Sequence, residues 1–210
     1  MGSAEALKTG EAAQGIEAHE NWFGADHPLT RVRKDVAQAR GARFYPGSPA
    51  IAAGILRETD SLHLAELHPQ ENAALNSYFG RRAKIHKQDG FELAHALTPP
   101  TPRRGLMLID PSYEVKADYA AIPNHIRKIH KAWNVGVILL WYPILTNGAQ
   151  ASMVSRLKEI DGGIVHEVAF PPARPGHGMI GSGMFVLNAP YGLAEEMRRL
   201  DRCFAPLTKR

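Results

Sequence analysis

Short apolar segments that alternate with helical patterns limit the possible folds of this chain more than any other feature. Between residue 62 and the C-terminus, we predict strands at residues 62–67, 83–87, 105–110, 136–142, 164–170 and 184–188. Helical patterns separate the first five of these strands. Such alternation is typical of an α/β fold with a mainly parallel sheet. The last two strands have no helix between them, so we expect the last strand to be antiparallel.

The clearest helical pattern follows the third strand. Its apolar residues recur at spacings of three and four, which places them on one helix face: Tyr119, Ile122, Ile126, Ile129 and Trp133. We expect Asp118 to cap this helix and Pro123 to bend its first turns. Further helices are predicted at residues 29–40, 70–79, 90–97, 148–160 and 193–203.

Three segments carry more local predictions. The sequence Tyr45-Pro46-Gly47-Ser48-Pro49 predicts a turn into another helix, with Ser48 as its cap and Pro49 at its first position. Residues 105–110 are almost wholly apolar, which is typical of a strand buried on both faces. Residues 171–183 are rich in proline and glycine and predict a loop. Its glycine-rich part, residues 177–183, lacks the phosphate-binding P-loop signature and is interpreted as a mobile, substrate-facing segment.

Composition sets wide bounds on function. The 210 residues, 44% of them hydrophobic, are enough for one domain with a real core. The 25 basic and 21 acidic residues permit a nucleic-acid partner but do not require one. A single cysteine, Cys203, excludes a disulfide framework within the chain and fits the cytoplasm. The ten histidines lack metal-site spacing, and no apolar run is long enough for a membrane span, so we expect neither feature.

Acidic residues follow two of the predicted strands, where open α/β sheets bind their ligands. Glu66 follows the first strand, and its carboxylate can accept hydrogen bonds from both hydroxyls of a ribose, or can be a solvated loop side chain. Asp89 and Gly90 follow the second strand. Asp89 either caps the next helix or accepts a hydrogen bond from the amine of a cofactor's adenine, with Phe91 near the ring.

The most specific motif, Asp110-Pro111-Ser112-Tyr113, follows the third strand. An aromatic amine is a poor nucleophile because its lone pair is delocalised into the ring. The Asp110 carboxylate and the Pro111 carbonyl can accept hydrogen bonds from both amine hydrogens and so favour a pyramidal nitrogen. Tyr113 can stack on a base that is flipped into the pocket. Trp141 and Tyr142 either line that pocket or belong to the core.

Seven motifs occur in order along the chain: Tyr45-Pro46-Gly47-Ser48-Pro49, Ala65-Glu66-Leu67-His68-Pro69, Asp89-Gly90-Phe91, Arg103-Arg104-Gly105-Leu106, Asp110-Pro111-Ser112-Tyr113, Leu140-Trp141-Tyr142-Pro143 and Gly181-Ser182-Gly183-Met184. Together they resemble the bacterial RlmJ family of 23S ribosomal RNA adenine-N6 methyltransferases. The resemblance covers nearly the whole chain, and its motifs are highly specific as a set.

The resemblance implies a Rossmann-like class I methyltransferase fold, as one domain over residues 1–210 with the remnant of a small helical insertion at about residues 20–58. The cofactor would be S-adenosylmethionine and the substrate 23S ribosomal RNA, free of ribosomal proteins, in the cytoplasm. The implied cofactor contacts are Ser48, Glu66, Asp89, Gly90 and Asp110, and the implied catalytic residues are Asp110, Pro111 and Tyr113.

Two departures from the family pattern bear on activity. Ser112 replaces a second proline, which restores a backbone N–H and loosens the turn, so we expect weaker preorganisation of the two acceptors. We also find no counterpart of the family's first strand and glycine-rich cofactor loop. That strand would lie in the middle of the sheet, so we expect unpaired strand edges and weak S-adenosylmethionine binding.

Two alternative functions therefore stay open. The chain could be a nucleic-acid-binding remnant that has lost catalysis, which fits the departures above. It could also be a DNA adenine-N6 methyltransferase, because the Asp110 motif does not distinguish one nucleic acid from another. The sequence does not indicate the oligomeric state or the position of the target adenine.

Overall fold

A computed structural model describes residues 3–5, 20–42, 44–114, 116–172 and 174–209. The backbone divides into two compact units, Met1–Leu93 and Ala94–Arg210. Within the described residues, no helix combines the length and the hydropathy needed to cross a membrane.

The described residues of the first unit form two pairs of strands and three complete α-helices. In chain order its elements are β1 (Ser3–Glu5), α1 (Pro28–Arg40), β2 (Phe44–Pro46), α2 (Ser48–Ile55), β3 (His63–Ala65), α3 (Pro69–Phe79), β4 (Lys84–His86) and the start of α4 (Gly90–Leu97). Strands β1 and β2 are antiparallel, whereas β3 and β4 are parallel. The first two strands predicted from the sequence are thus confirmed as a parallel pair.

The first unit is held together by a small apolar core. Its buried members are Ala50, Leu75, Phe79 and Ala83, with Leu62, Leu64 and Ile85 packed against them. Helix α1 turns Val32 and Val36 inward, as its spacing predicts. The chain enters this helix through His27, whose Nδ1 accepts a hydrogen bond from the Leu29 N–H at 3.2 Å.

The second unit is built on one four-stranded sheet. Its elements are β5 (Leu106–Ile109), α5 (Lys116–Ala132), β6 (Val137–Leu145), α6 (Ala151–Lys158), β7 (Gly163–Ala169), β8 (Met179–Leu187) and α7 (Leu193–Phe204). The strand order is β5-β6-β8-β7. Strand β5 is parallel to β6, and β8 is antiparallel to both β6 and β7, which confirms the predicted antiparallel last strand.

The α5 stripe forms the centre of this unit, as predicted. Ile122, Ile126 and Ile129 are completely buried, and Tyr119 and Trp133 are nearly so. The helix continues through Pro123, which is itself buried. Asp118, however, lies inside the first turn rather than at the cap, so that part of the prediction is wrong. Acidic residues are common both at the N-cap and in the first turn, because a carboxylate at either position lies near the free N–H groups of the helix start.

Strand β5 is not buried on both faces, contrary to the prediction. Leu106 is 60% and Leu108 42% exposed, while Met107 and Ile109 on the other face are half-buried. Among the described residues β5 pairs only with β6, so it is an edge strand with one apolar row open to solvent. The apolar composition of residues 105–110 predicted a strand, but it could not predict whether one or both faces of that strand are buried.

The predicted loop over residues 171–183 is also partly wrong, because β8 already begins at Met179. A Cβ at Gly183 would overlap Cζ of the Tyr142 ring, and one at Gly181 would lie 2.6 Å from the Val168 carbonyl oxygen. These glycines allow close packing against the neighbouring strands. Glycine content alone therefore suggested a loop where the chain forms a central strand.

Candidate active site

Glu66 lies directly after β3, at the carboxyl end of the parallel β3–β4 pair. Its backbone N–H donates to the His86 carbonyl at 3.0 Å, which continues the strand pairing by one residue. Its carboxylate oxygen Oε1 accepts a hydrogen bond from the His68 N–H at 2.7 Å. Among the described residues no group occupies Oε2, which leaves an acceptor open at this end of the sheet.

Asp89 and Gly90 lie at the same end of this sheet. The Asp89 oxygen Oδ1 accepts hydrogen bonds at 2.9 Å from the N–H groups of Phe91 and Glu92, so the cap prediction is confirmed. A Cβ at Gly90 would lie only 3.8 Å from the Cβ of Ala65. The start of α4 is therefore next to the end of β3, and the first unit brings Glu66, Asp89 and Gly90 to one edge.

Ser48 is placed differently from the prediction. Gly47 is the N-cap of α2, and Ser48 is the first helical residue, with no side-chain hydrogen bond at the cap. The serine is exposed, and its hydroxyl has no partner among the described residues. Glycine and serine both favour helix starts, so sequence alone could not distinguish the two positions.

Asp110 and Pro111 follow β5 in the second unit. The parallel register ends with Ile109 opposite Leu140, so Asp110 and Trp141 are the next residues on neighbouring strands. The Asp110 side chain makes no hydrogen bond within the described part of the chain. Partial desolvation raises the pKa of its carboxyl above the ordinary aspartate value, although the residue as a whole is exposed. Its carboxylate is thus a hydrogen-bond acceptor that the described residues leave open, at the end of a strand.

Tyr113 is held in place by its ring and its hydroxyl. It has a left-handed backbone, with φ of 58°, and its hydroxyl donates to the Trp141 carbonyl at 2.5 Å. Its ring centroid lies 4.9 Å from that of Tyr119 and 6.1 Å from that of Trp141. Burial, and then the neighbouring Tyr119 and Asp110, raise the pKa of Tyr113 far above its usual range. The hydroxyl therefore stays a donor.

The structure separates the two aromatic residues of β6 that the sequence left undecided. Tyr142 is fully buried and donates to Glu167 Oε1 at 2.9 Å, so it belongs to the core. Trp141 is half-buried beside Tyr113, and its indole N–H donates to the Ser182 hydroxyl at 2.6 Å. Sequence reasoning singled out the motif that contains Ser182 but missed the contact of Ser182 with Trp141, and it missed the contact of Tyr119 with the Asp110 motif. The position of Tyr119 in the first turns of the helix after the motif was the available signal.

The predicted site residues thus form two groups, one in each unit. Ser48, Glu66, Asp89 and Gly90 lie in the first unit, and Asp110, Pro111 and Tyr113 lie in the second. Across the described ranges, no three histidine, cysteine, aspartate or glutamate side chains come together in a way that could hold a metal ion.

Comparison with known proteins decides the family. The family described as ribosomal RNA large subunit methyltransferase D, RlmJ, matches residues 1–206. The chain belongs to this RlmJ family. It is 39% identical over 209 residues to ribosomal RNA large subunit methyltransferase J of Escherichia coli (strain K12), covering 95% of this chain and 74% of the relative. The protein of the same name from Haemophilus influenzae is 32% identical over 216 residues, with the same coverage.

A solved structure has a similar fold over nearly the same length. The crystal structure of a protein from Legionella pneumophila str. Philadelphia 1 is 28% identical and superposes with a TM-score of 0.82. The match covers 95% of this chain and 75% of that protein. As a member of the RlmJ family, the chain is a ribosomal RNA methyltransferase, and its methyl donor is S-adenosylmethionine.

The residues at the carboxyl end of β3 and β4 fit S-adenosylmethionine as the methyl donor. S-adenosylmethionine carries ribose hydroxyls and an adenine amine, which are hydrogen-bond donors. Glu66 and Asp89 each keep one carboxylate oxygen free of protein partners in the described part of the chain. Gly90 has no side chain, so the space between the start of α4 and the end of β3 stays open. The donor and acceptor chemistry of this edge therefore matches the cofactor.

Proposed function

We propose that this RlmJ-family chain methylates the N6 amine of an adenine in 23S ribosomal RNA, acting in the cytoplasm on RNA free of ribosomal proteins. The observation that carries the proposal is the Asp110 carboxylate, which has no hydrogen-bond partner among the described residues and is followed at once by the Pro111 carbonyl and by an aromatic cluster. We define this aromatic cluster as Tyr113, Tyr119 and Trp141. The adenine amine needs two hydrogen-bond acceptors, and the adenine ring needs a surface on which to stack. Asp110 and Pro111 supply the acceptors, and the aromatic cluster supplies the surface.

The two acceptors make the amine reactive. One amine hydrogen is bound by the Asp110 carboxylate and the other by the Pro111 carbonyl, so the nitrogen becomes pyramidal and its lone pair is directed outward. S-adenosylmethionine supplies the electrophilic methyl group when it is bound. The amine gives up one proton after transfer, and the Asp110 carboxylate is placed to accept it, since its raised pKa favours the protonated form.

The aromatic cluster holds the adenine. The target base must leave the RNA stack to reach Asp110, and an aromatic side chain offsets part of the lost stacking. The Tyr113 ring is fixed by its hydrogen bond to the Trp141 carbonyl, and Trp141 is fixed by Ser182. A preorganised surface loses less conformational entropy when the base binds.

The cofactor contacts proposed for this chain are Ser48, Glu66, Asp89, Gly90 and Asp110. Glu66 accepts hydrogen bonds from the ribose hydroxyls, and Asp89 accepts one from the adenine amine through its free oxygen. The absence of a side chain at Gly90 lets the ligand approach the backbone. Each of these roles uses an oxygen or a space that the described protein residues leave open.

Transfer of labelled methyl from S-adenosylmethionine to a 23S ribosomal RNA transcript tests the proposal. Digestion of the product to nucleosides identifies the methylated atom, and Asp110→Ala serves as the inactive control. Label in N6-methyladenosine of the 23S transcript supports the proposal. Label in DNA alone would show a DNA methyltransferase, and RNA binding without any transfer would show a remnant that has lost catalysis.

A further inference from the structure

A groove lies between α1, α2 and α3, within the first unit and apart from the residues assigned to the cofactor. It encloses about 350 Å³. Its apolar floor includes Val32, Val36 and Ala50, all of them buried. Its polar lining consists of Asp35, Arg40, Tyr78 and Arg82. Sites for small ligands in proteins span about 300 to 1,000 Å³, so the groove suits one small planar group rather than a helix or a duplex.

The two arginines of the groove have free hydrogen-bond donors. The guanidinium carbon of Arg40 lies 4.4 Å from the centre of the Tyr78 ring. The Arg82 guanidinium reaches only the Ala53 carbonyl, at a long 3.5 Å. Among the described residues neither arginine pairs with a carboxylate, and Asp35 forms no ion pair with either. The groove therefore offers positive charge to an anion from outside.

Helix α1 adds to this charge. It carries Arg31, Arg33, Lys34 and Arg40 against the single acidic residue Asp35. An aromatic ring beside apolar side chains, bordered by guanidinium groups that pair with no carboxylate among the described residues, is the chemistry that recognises an unpaired nucleotide. The base packs against Tyr78 and the apolar floor, and the arginines donate hydrogen bonds to the phosphate.

We infer that this groove binds an unpaired nucleotide of the ribosomal RNA substrate. The inference rests on the proposed function for its choice of nucleic acid. The base stacks on Tyr78 and displaces the Arg40 guanidinium, which turns to the phosphate beside Arg82. The exchange is favourable because an exposed cation–π contact is weaker than stacking of a base on an aromatic ring.

The test measures binding of the full chain to a fluorescent single-stranded RNA oligonucleotide, and to its duplex, by anisotropy. We expect Tyr78→Leu to raise the Kd for the single strand about tenfold, while Tyr78→Phe keeps wild-type affinity because it keeps the ring. Arg82→Gln and Arg40→Gln should each reduce the salt dependence, by about 0.7 in the slope of log K against log salt. The matched control is Arg31→Gln, which removes the same charge from α1 outside the groove.

Methyl-transfer kinetics separate this inference from the proposed function. The groove variants should raise the KM for 23S ribosomal RNA and leave the KM for S-adenosylmethionine unchanged. Wild-type RNA affinity in Tyr78→Leu and in both arginine variants would overturn the inference, and so would equal losses in Arg31→Gln or for the duplex. If the groove variants lose RNA affinity but the wild type transfers no methyl, the groove assignment stands and the proposed function fails.

Discussion

At the scale of single residues, Asp110 combines its proposed role in catalysis with a cost to stability. Its pKa is raised by desolvation, so the folded chain binds a proton at this carboxyl more readily than the unfolded chain does. The stabilising effect of that proton is fully present below the unfolded pKa of about 3.9 and is lost as the pH rises through the folded pKa. At neutral pH the ionised carboxylate therefore opposes folding.

Asp110→Asn should consequently raise the Tm at pH 7, by a few degrees at most because the residue is exposed. The gain should disappear near pH 4, where the wild-type carboxyl is increasingly protonated. Thermal unfolding at both pH values checks this, with Asp161→Asn, an exposed aspartate in the turn before β7, as the matched control. A lower Tm for Asp110→Asn at pH 7 would show that the carboxylate stabilises the fold instead.

Ser112 gives a second prediction at this scale. Its backbone N–H donates no hydrogen bond among the described residues, so a proline here loses no donor interaction. Ser112→Pro should restrict the turn and raise the single-turnover rate of methyl transfer a few-fold, because the Pro111 carbonyl is then held more firmly. Ser112→Ala removes the hydroxyl and keeps the flexible turn, so it should leave the rate unchanged. An equal gain in both variants would assign the effect to the hydroxyl.

At the scale of elements, β8 shows how close packing can hide the first half of a strand from sequence analysis. The strand pairs with both β6 and β7 along its length, whereas the glycines of its first half are typical of a loop, so the sequence predicts only residues 184–188 as a strand. The α5 stripe was predictable because burial and helical period coincide there. Gly183 in β8 is instead required by the Tyr142 ring on the neighbouring strand, and a partner of that kind is not visible in the local sequence.

Gly183→Ala should therefore destabilise the second unit by about 3 kcal/mol, since the new methyl group overlaps the buried Tyr142 ring. Gly178→Ala, just before β8, is the matched control. Its added Cβ would meet nothing closer than the Thr146 hydroxyl at 3.9 Å, so its stability should equal that of the wild type. Urea denaturation measures both variants. Equal stability of Gly183→Ala and the wild type would contradict the close approach.

At the scale of the whole molecule, motif order in the sequence predicted the family and the α/β fold, and both are confirmed. The sequence could not predict that β5 would expose Leu106 and Leu108, because apolar composition is the same for central and edge strands. The catalytic motif was predictable as a strand followed by Asp110. The contact of Tyr113 with Trp141 was not, because it joins the motif to a residue of β6, 28 positions further along the chain.

Methyl transfer to RNA tests the central claim most directly. Wild type and Asp110→Ala are incubated with labelled S-adenosylmethionine and a protein-free 23S ribosomal RNA transcript, and the RNA is digested to nucleosides. The account predicts label in N6-methyladenosine with the wild type and a rate lower by about a hundredfold or more with Asp110→Ala. Label on another base, or equal rates for the two proteins, would contradict the assignment of Asp110 to an adenine amine.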